Sequence, residues 1–275
     1  MELHGIHVPL VTPFTADGAV ALDALERLAR DLLADGAAGL VALGTTGEPG
    51  SLTTAEQDAV IEVCRRACDA HGAPLTVGAG HGGTARTAEA LAALDGRADA
   101  ALVAVPAFVR PGEAGVLAHF RALAATSPLP LVVYHIPYRT GQPLGAAALL
   151  DLLALPGVAG VKYAAGGIDE QTIALLAAAP RGVLAGDDLL LSPLLALGAD
   201  GGVLASAHLE TARFAALHRA WADGDAARAR TLGAELAEVS RSAFTGPNPT
   251  ALKALLHRAG RIPTPAVRLP LLAHT

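Results

Sequence analysis

The sequence predicts a (β/α)8 barrel followed by a C-terminal helical extension. Three observations carry that expectation. Eight short apolar runs are spaced along the chain, helical patterns separate them, and the length of 275 residues suits one such barrel, which needs about 250. The runs fall near 6–13, 39–44, 74–79, 100–106, 129–135, 158–163, 182–186 and 201–206. Most are continuous rather than alternating, as expected of parallel strands buried on both faces.

Helical periodicity follows each run. The clearest cases span 21–36 and 54–72, the second with Thr54 as an expected N-cap and Gly72 as an expected stop. After residue 208 the pattern is helical only, near 209–222, 225–243 and 249–259, with the turn-rich segment FTGPNP before the last. The first of these helices would close the barrel. The expected division is therefore a barrel over 1–223 and an extension over 224–275. An open doubly wound sheet is the competing arrangement, but no G-x-G-x-x-G fingerprint follows the first strand.

Composition narrows the function. Hydrophobic residues make up 52% of the chain and charged residues 17%, enough apolar surface for a large core and the opposite of a disordered composition. The net charge of -6, with no block of Lys or Arg, argues against nucleic acid or an anionic membrane as a partner. The N-terminal segment lacks the basic start and long apolar run of a signal peptide, and no stretch of about 18 apolar residues predicts a membrane span. Cys64 and Cys68 lie four apart on one helical face with no second ligand pair nearby. They read as ordinary thiols of a reducing cytoplasm rather than metal ligands.

One asymmetry points to chemistry. Of 20 basic residues, 18 are Arg and only Lys162 and Lys253 are Lys. An amine can lose its proton and become a nucleophile, whereas a guanidinium cannot. Lys162 stands at the end of the sixth expected strand, where barrel enzymes place their active sites. Burial there would lower its pKa, and a neutral amine can form an iminium with a ketone. The bland alternative is a strand-end lysine paired with an acid.

Other strand-end polar residues are Thr12, Thr45, Thr46, Tyr134, Tyr163, Asp187, Asp188 and Ser206. The turn GTTGE (44–48) offers Gly44 backbone and two hydroxyls to an anion, although such a sequence is often only a turn. In YHIPYRTG (134–141), Tyr134 could move protons and Arg139 could grip a carboxylate; equally, they could be a barrel cap and a surface charge. GDD (186–188) reads as a helix N-cap and turn, because no His cluster accompanies it.

Taken together, VPLVTPF (8–14), GTTGE, YHIPYRTG, GVAGVKYAAG (157–166), GDD, GADGGVLAS (198–206) and NPTALKALLHRAG (248–260) resemble the dihydrodipicolinate synthase / N-acetylneuraminate lyase family. They stand in the family's order and cover nearly the whole chain. The resemblance implies a class I lyase that joins pyruvate or another 2-keto acid to an aldehyde and uses no metal or organic cofactor. It also implies a homodimer or homotetramer. By it, Lys162 is the Schiff-base lysine and Tyr134 the proton-shuttling tyrosine. Thr45 and Thr46 hold the keto-acid carboxylate, with Thr45 joining the relay. Arg139 binds the second substrate, and Leu204 lies where a backbone carbonyl lines the pocket. Two positions depart from the synthase pattern. Phe108 stands where a relay tyrosine is usual, and Tyr163 where Glu is common; both are expected to shape the pocket. The missing hydroxyl leaves open a paralogue, an aldolase or dehydratase acting on a 2-keto-3-deoxy sugar acid. A non-catalytic keto-acid-binding protein is the remaining reading.

Overall fold

The computed structural model describes residues 3–178 and 180–274. Eight parallel strands form one closed barrel in sequence order: β1 (Gly5–Pro9), β2 (Gly39–Ala42), β3 (Leu75–Gly78), β4 (Ala100–Ala104), β5 (Leu131–His135), β6 (Val158–Tyr163), β7 (Val183–Ala185) and β8 (Gly201–Val203). The expected (β/α)8 class is what the chain adopts. Several strands stop short of the apolar runs that announced them. The first expected strand ran to residue 13, yet β1 ends at Pro9, and Leu10 and Val11 instead bond singly to the Val41 carbonyl and the His208 ring.

By its internal contacts the chain divides into two compact units. One comprises Met1–Gly5 and Thr76–Val203. It contains most of β3, all of β4 to β8 and the helices α3 (Thr84–Ala92), α4 (Gly112–Ala124), α5 (Pro137–Thr140), α6 (Ala146–Leu153), α7 (Glu170–Ala177) and α8 (Leu191–Ala196). Parallel ladders join β3 to β4, β4 to β5, β5 to β6, β6 to β7 and β7 to β8. Gly201 is required here by close approach: a Cβ would sit 2.0 Å from the Gly5 carbonyl oxygen.

The other unit comprises Ile6–Leu75 and Leu204–Thr275. It holds β2, most of β1, α1 (Leu22–Ala34), α2 (Thr54–His71), α9 (Thr211–Ala222), α10 (Ala226–Ala243) and α11 (Thr250–Arg258). In α1, Leu25, Leu28, Ala29, Leu32 and Leu33 are buried, the i, i+3, i+4 stripe of an amphipathic helix. The N-cap of α2 is Thr53, not Thr54. Thr53 Oγ1 accepts from the Glu56 N–H and Glu56 Oε2 accepts from the Thr53 N–H, a capping box that requires Glu three residues after the cap. Gly72 ends the helix at φ 61°, as expected. Cys64 and Cys68 are buried in the same helix and form no disulfide with each other. Among the described residues no helix is long and apolar enough to cross a membrane.

Candidate active site

The arrangement begins with strand register. In the β5–β6 ladder Tyr134 pairs with Lys162, and His135 pairs with Tyr163. Side chains alternate along a strand, so the first pair shares one face and the second pair the other. Lys162 Nζ lies 4.3 Å from the centroid of the Tyr134 ring, and both residues are buried. On the opposite face Tyr163 shares a hydrogen bond with Thr172 of α7, Oη to Oγ1 at 2.9 Å, and its ring lies 5.7 Å from that of His135. Tyr163 therefore packs β6 against the helix layer, on the face away from Lys162. The expectation that it shapes a pocket beside the lysine is corrected by strand alternation.

Burial controls the chemistry of Lys162. Loss of solvent disfavours its ammonium form and lowers its pKa to about 8, while the charges of Asp188, Tyr138 and Asp187 partly oppose the shift. Gly186 provides the room: a Cβ there would stand 3.0 Å from Lys162 Cγ and 3.1 Å from Cε. Burial also raises the pKa of Asp187, against an opposing hydrogen bond from the Gly166 N–H to Oδ2 at 2.7 Å. Asp187 does precede a 3-10 turn at Asp188–Leu190, as an N-cap would. Its carboxylate, however, spans to the β6–α7 loop and makes no cap hydrogen bond, so the N-cap reading of GDD holds for the backbone only.

Two further predicted residues of this unit lie at its surface. Arg139 is exposed, with its guanidinium 5.6 Å from the Tyr138 ring centroid. Phe108 is 98% exposed and holds φ at 69°, an unusual conformation for a bulky residue. Val109 and Tyr138 are exposed as well.

In the other unit, Thr45–Gly47 form a 3-10 turn directly after β2. Thr46 is buried and Thr45 half-buried. Gly44 is in extended conformation, φ -70° and ψ 177°, which any residue can adopt. The left-handed positions are instead Leu43 and Glu48, at φ 54° and 53°. Thr12 Oγ1 donates to the Gly47 carbonyl at 2.7 Å, so this strand-end threonine braces the turn. Leu204 is fully buried, its N–H bonded to the His7 carbonyl. Ser206 shares a hydrogen bond with Ser240 of α10 and is spent on packing. The second lysine, Lys253, is fully buried and donates to Glu48 Oε1 at 2.7 Å. Asn248 Nδ2 donates to Thr46 Oγ1 at 3.1 Å. Neither Asn248 nor Lys253 was singled out as part of a site. A lysine beside Leu252 and Leu256 on the buried face of a helix was the available signal. Among the described residues no cluster of three or more His, Cys, Asp or Glu side chains is placed to hold a metal ion.

Comparison with known proteins settles the lineage. The Dihydrodipicolinate synthetase family matches residues 2–275. The chain belongs to this family. It is 38% identical over 283 residues to the 4-hydroxy-tetrahydrodipicolinate synthase of Moorella thermoacetica, covering 100% of this chain and 94% of that one. Among solved structures it resembles a chloride-inhibited dihydrodipicolinate synthase from Acinetobacter baumannii in complex with pyruvate. That likeness has a TM-score of 0.93 and 32% identity, covering 99% of this chain and 94% of the other. A monomeric dihydrodipicolinate synthase variant aligns with a TM-score of 0.94 at 27% identity, over 99% of this chain and 92% of that one. As a family member this chain is a lyase-type enzyme of the dihydrodipicolinate synthase kind.

Proposed function

We propose that this enzyme condenses pyruvate with aspartate semialdehyde through an imine on Lys162. The observation that carries the reading is the register pair of Tyr134 and Lys162, which sets a buried amine against a phenol. Neutral Lys162 Nζ adds to C2 of pyruvate, and uptake of a proton with loss of water leaves an iminium. That cation draws electrons from the neighbouring methyl group, which loses a proton to give an enamine. The enamine carbon attacks the aldehyde, and hydrolysis frees the lysine. The iminium is itself the electron sink, so this sequence requires no metal or organic cofactor. Tyr134 moves the protons, with Thr45 in the relay. Thr46, Thr45 and the Gly44 backbone take the pyruvate carboxylate, the Leu204 carbonyl lines the pocket, and Arg139 takes the carboxylate of the aldehyde. We also place the enzyme in the cytoplasm, consistent with two cysteines that form no disulfide, and expect it to self-associate as a homodimer or homotetramer. Exposed Phe108, Val109 and Tyr138 are the kind of apolar surface that association covers.

The amine chemistry gives a pH dependence. Only the unprotonated amine attacks, and with a pKa of about 8 its neutral fraction grows roughly tenfold per pH unit below that value. The rate of imine formation with pyruvate should therefore climb with pH, bend near 8 and flatten above. Stopped-flow absorbance checks this. A rate that continues to rise tenfold per unit to pH 10 would show an amine with an ordinary pKa.

Phe108 favours a second reading, since it offers no hydroxyl to a proton relay. A coupled assay with pyruvate and aspartate semialdehyde separates the two. Synthase activity is expected in the wild type, and Phe108→Tyr should raise it several-fold by adding a proton-transfer group. If neither protein turns over aspartate semialdehyde while both form the pyruvate imine, the enzyme is instead an aldolase or dehydratase on a 2-keto-3-deoxy sugar acid. In that case the added hydroxyl has no place in the proton transfers, and Phe108→Tyr would not help.

A further inference from the structure

The turn Thr45–Gly47 is held from the far end of the chain. Glu48, which closes it, occupies a left-handed conformation at φ 53° and ψ 42°, unfavourable for a residue with a Cβ. Its surroundings impose that conformation. The Glu48 carbonyl accepts from the Ser51 N–H at 3.0 Å and from Ser51 Oγ at 2.9 Å. Its carboxylate accepts from Lys253 Nζ at 2.7 Å and from the Arg268 N–H at 3.0 Å. The side chains of Lys253 and Glu48 are 0% and 2% exposed. The ammonium also lies 4.1 Å from the centroid of Phe14. Five residues before Lys253, ahead of α11, Asn248 Nδ2 donates to Thr46 Oγ1.

Stability alone does not account for this arrangement. A fully buried ion pair is generally no more stable than apolar side chains of the same shape, whereas it does fix one geometry. Asn248 adds a chemical constraint. A hydroxyl carries one proton, and a Thr46 oxygen that accepts from an amide N–H keeps its proton for another acceptor. A carboxylate needs such a donor.

We propose that Lys253, Glu48 and Asn248 are positioning residues for substrate, holding the Thr45–Thr46 turn in shape and the Thr46 hydroxyl as a donor to the keto-acid carboxylate. The proposal rests on the reading that this turn binds that carboxylate. The C-terminal extension thereby becomes part of substrate binding.

Lys253→Met alone leaves the Glu48 charge buried without its partner and risks the fold. The informative variant is the charge-free pair Glu48→Gln/Lys253→Met, with Asn248→Ala as an independent probe that leaves the ion pair intact. Both should still give a borohydride-trapped pyruvate adduct on Lys162. Both should raise the pyruvate KM at least about tenfold with kcat changed less than about threefold, the mark of lost substrate binding. In a Thr46→Ala background, which raises KM by itself, Asn248→Ala should add no more than about twofold, because it acts through that hydroxyl. The outcomes are separable. If Thr46→Ala raises KM but Glu48→Gln/Lys253→Met and Asn248→Ala do not, the positioning role is overturned and the carboxylate reading stands. An Asn248→Ala penalty that multiplies in the Thr46→Ala background overturns it too. If Thr46→Ala leaves KM unchanged, the carboxylate reading falls and the positioning role with it. If the charge-free pair does not fold, Asn248→Ala decides by the same criteria.

Discussion

Lys162→Arg should lose turnover by roughly 10³-fold or more, about 4 kcal/mol of transition-state stabilisation at about 1.4 kcal/mol per decade. A guanidinium stays protonated in proteins and presents no amine to a ketone. The loss must be separated from misfolding, since Gly186 leaves little space around the Lys162 stem. Lys162→Met supplies the control. In the folded protein the lysine pKa falls from 10.5 to about 8, so the fold disfavours its proton. That penalty is fully present below pH 8, shrinks as the pH rises from 8 to 10.5 and then vanishes. Lys162→Met should accordingly melt above the wild type at pH 7, with the gap closing toward pH 10.5, and be equally inactive. Thermal melts followed by circular dichroism at pH 7 and pH 10 check the sign. Retained turnover in either variant would remove Lys162 from the chemistry.

Tyr134→Phe should still bind pyruvate and form the imine but turn over about 10²–10⁴-fold more slowly, the usual worth of a positioned acid–base group. The ring that faces Lys162 Nζ at 4.3 Å remains, so the environment of the amine changes little. Only the hydroxyl is lost. Steady-state kinetics should show the drop in kcat, with a pyruvate KM close to that of the wild type. Unchanged kcat would mean that the protons move by another group, and a large rise in KM alone would make Tyr134 a binding residue.

Much of the fold could be read from residue order, because continuous apolar runs and amphipathic stripes report burial directly. The β6 run ends in the pair Lys162–Tyr163, and the scarcity of lysine marked Lys162 as chemical. The face of Tyr163 was a matter of strand alternation, and the residue-by-residue match to a family position obscured it. Thr53 was missed as the α2 cap although the Thr-x-x-Glu signal was present, since two adjacent threonines compete for the position. Gly44 was expected to matter for its backbone freedom, yet the left-handed residues are Leu43 and Glu48, and Glu48 is tied to Lys253 and Arg268 by tertiary contacts that local propensity does not encode. The Glu48–Lys253 pair joins positions 205 apart in sequence, beyond the reach of any local pattern. Phe108 could be read as a departure in residue type, but its exposure and positive φ belong to the fold of the β4–α4 loop.

The central claim is that Lys162, and not Lys253, forms an imine with a 2-keto acid. Incubation with pyruvate, reduction with borohydride and peptide mapping by mass spectrometry tests it directly. The expected result is one adduct per chain, on the peptide containing Lys162, with Lys253 unmodified because it is fully buried and bonded to Glu48. An adduct on Lys253, or no adduct with any 2-keto acid tried, would contradict the account.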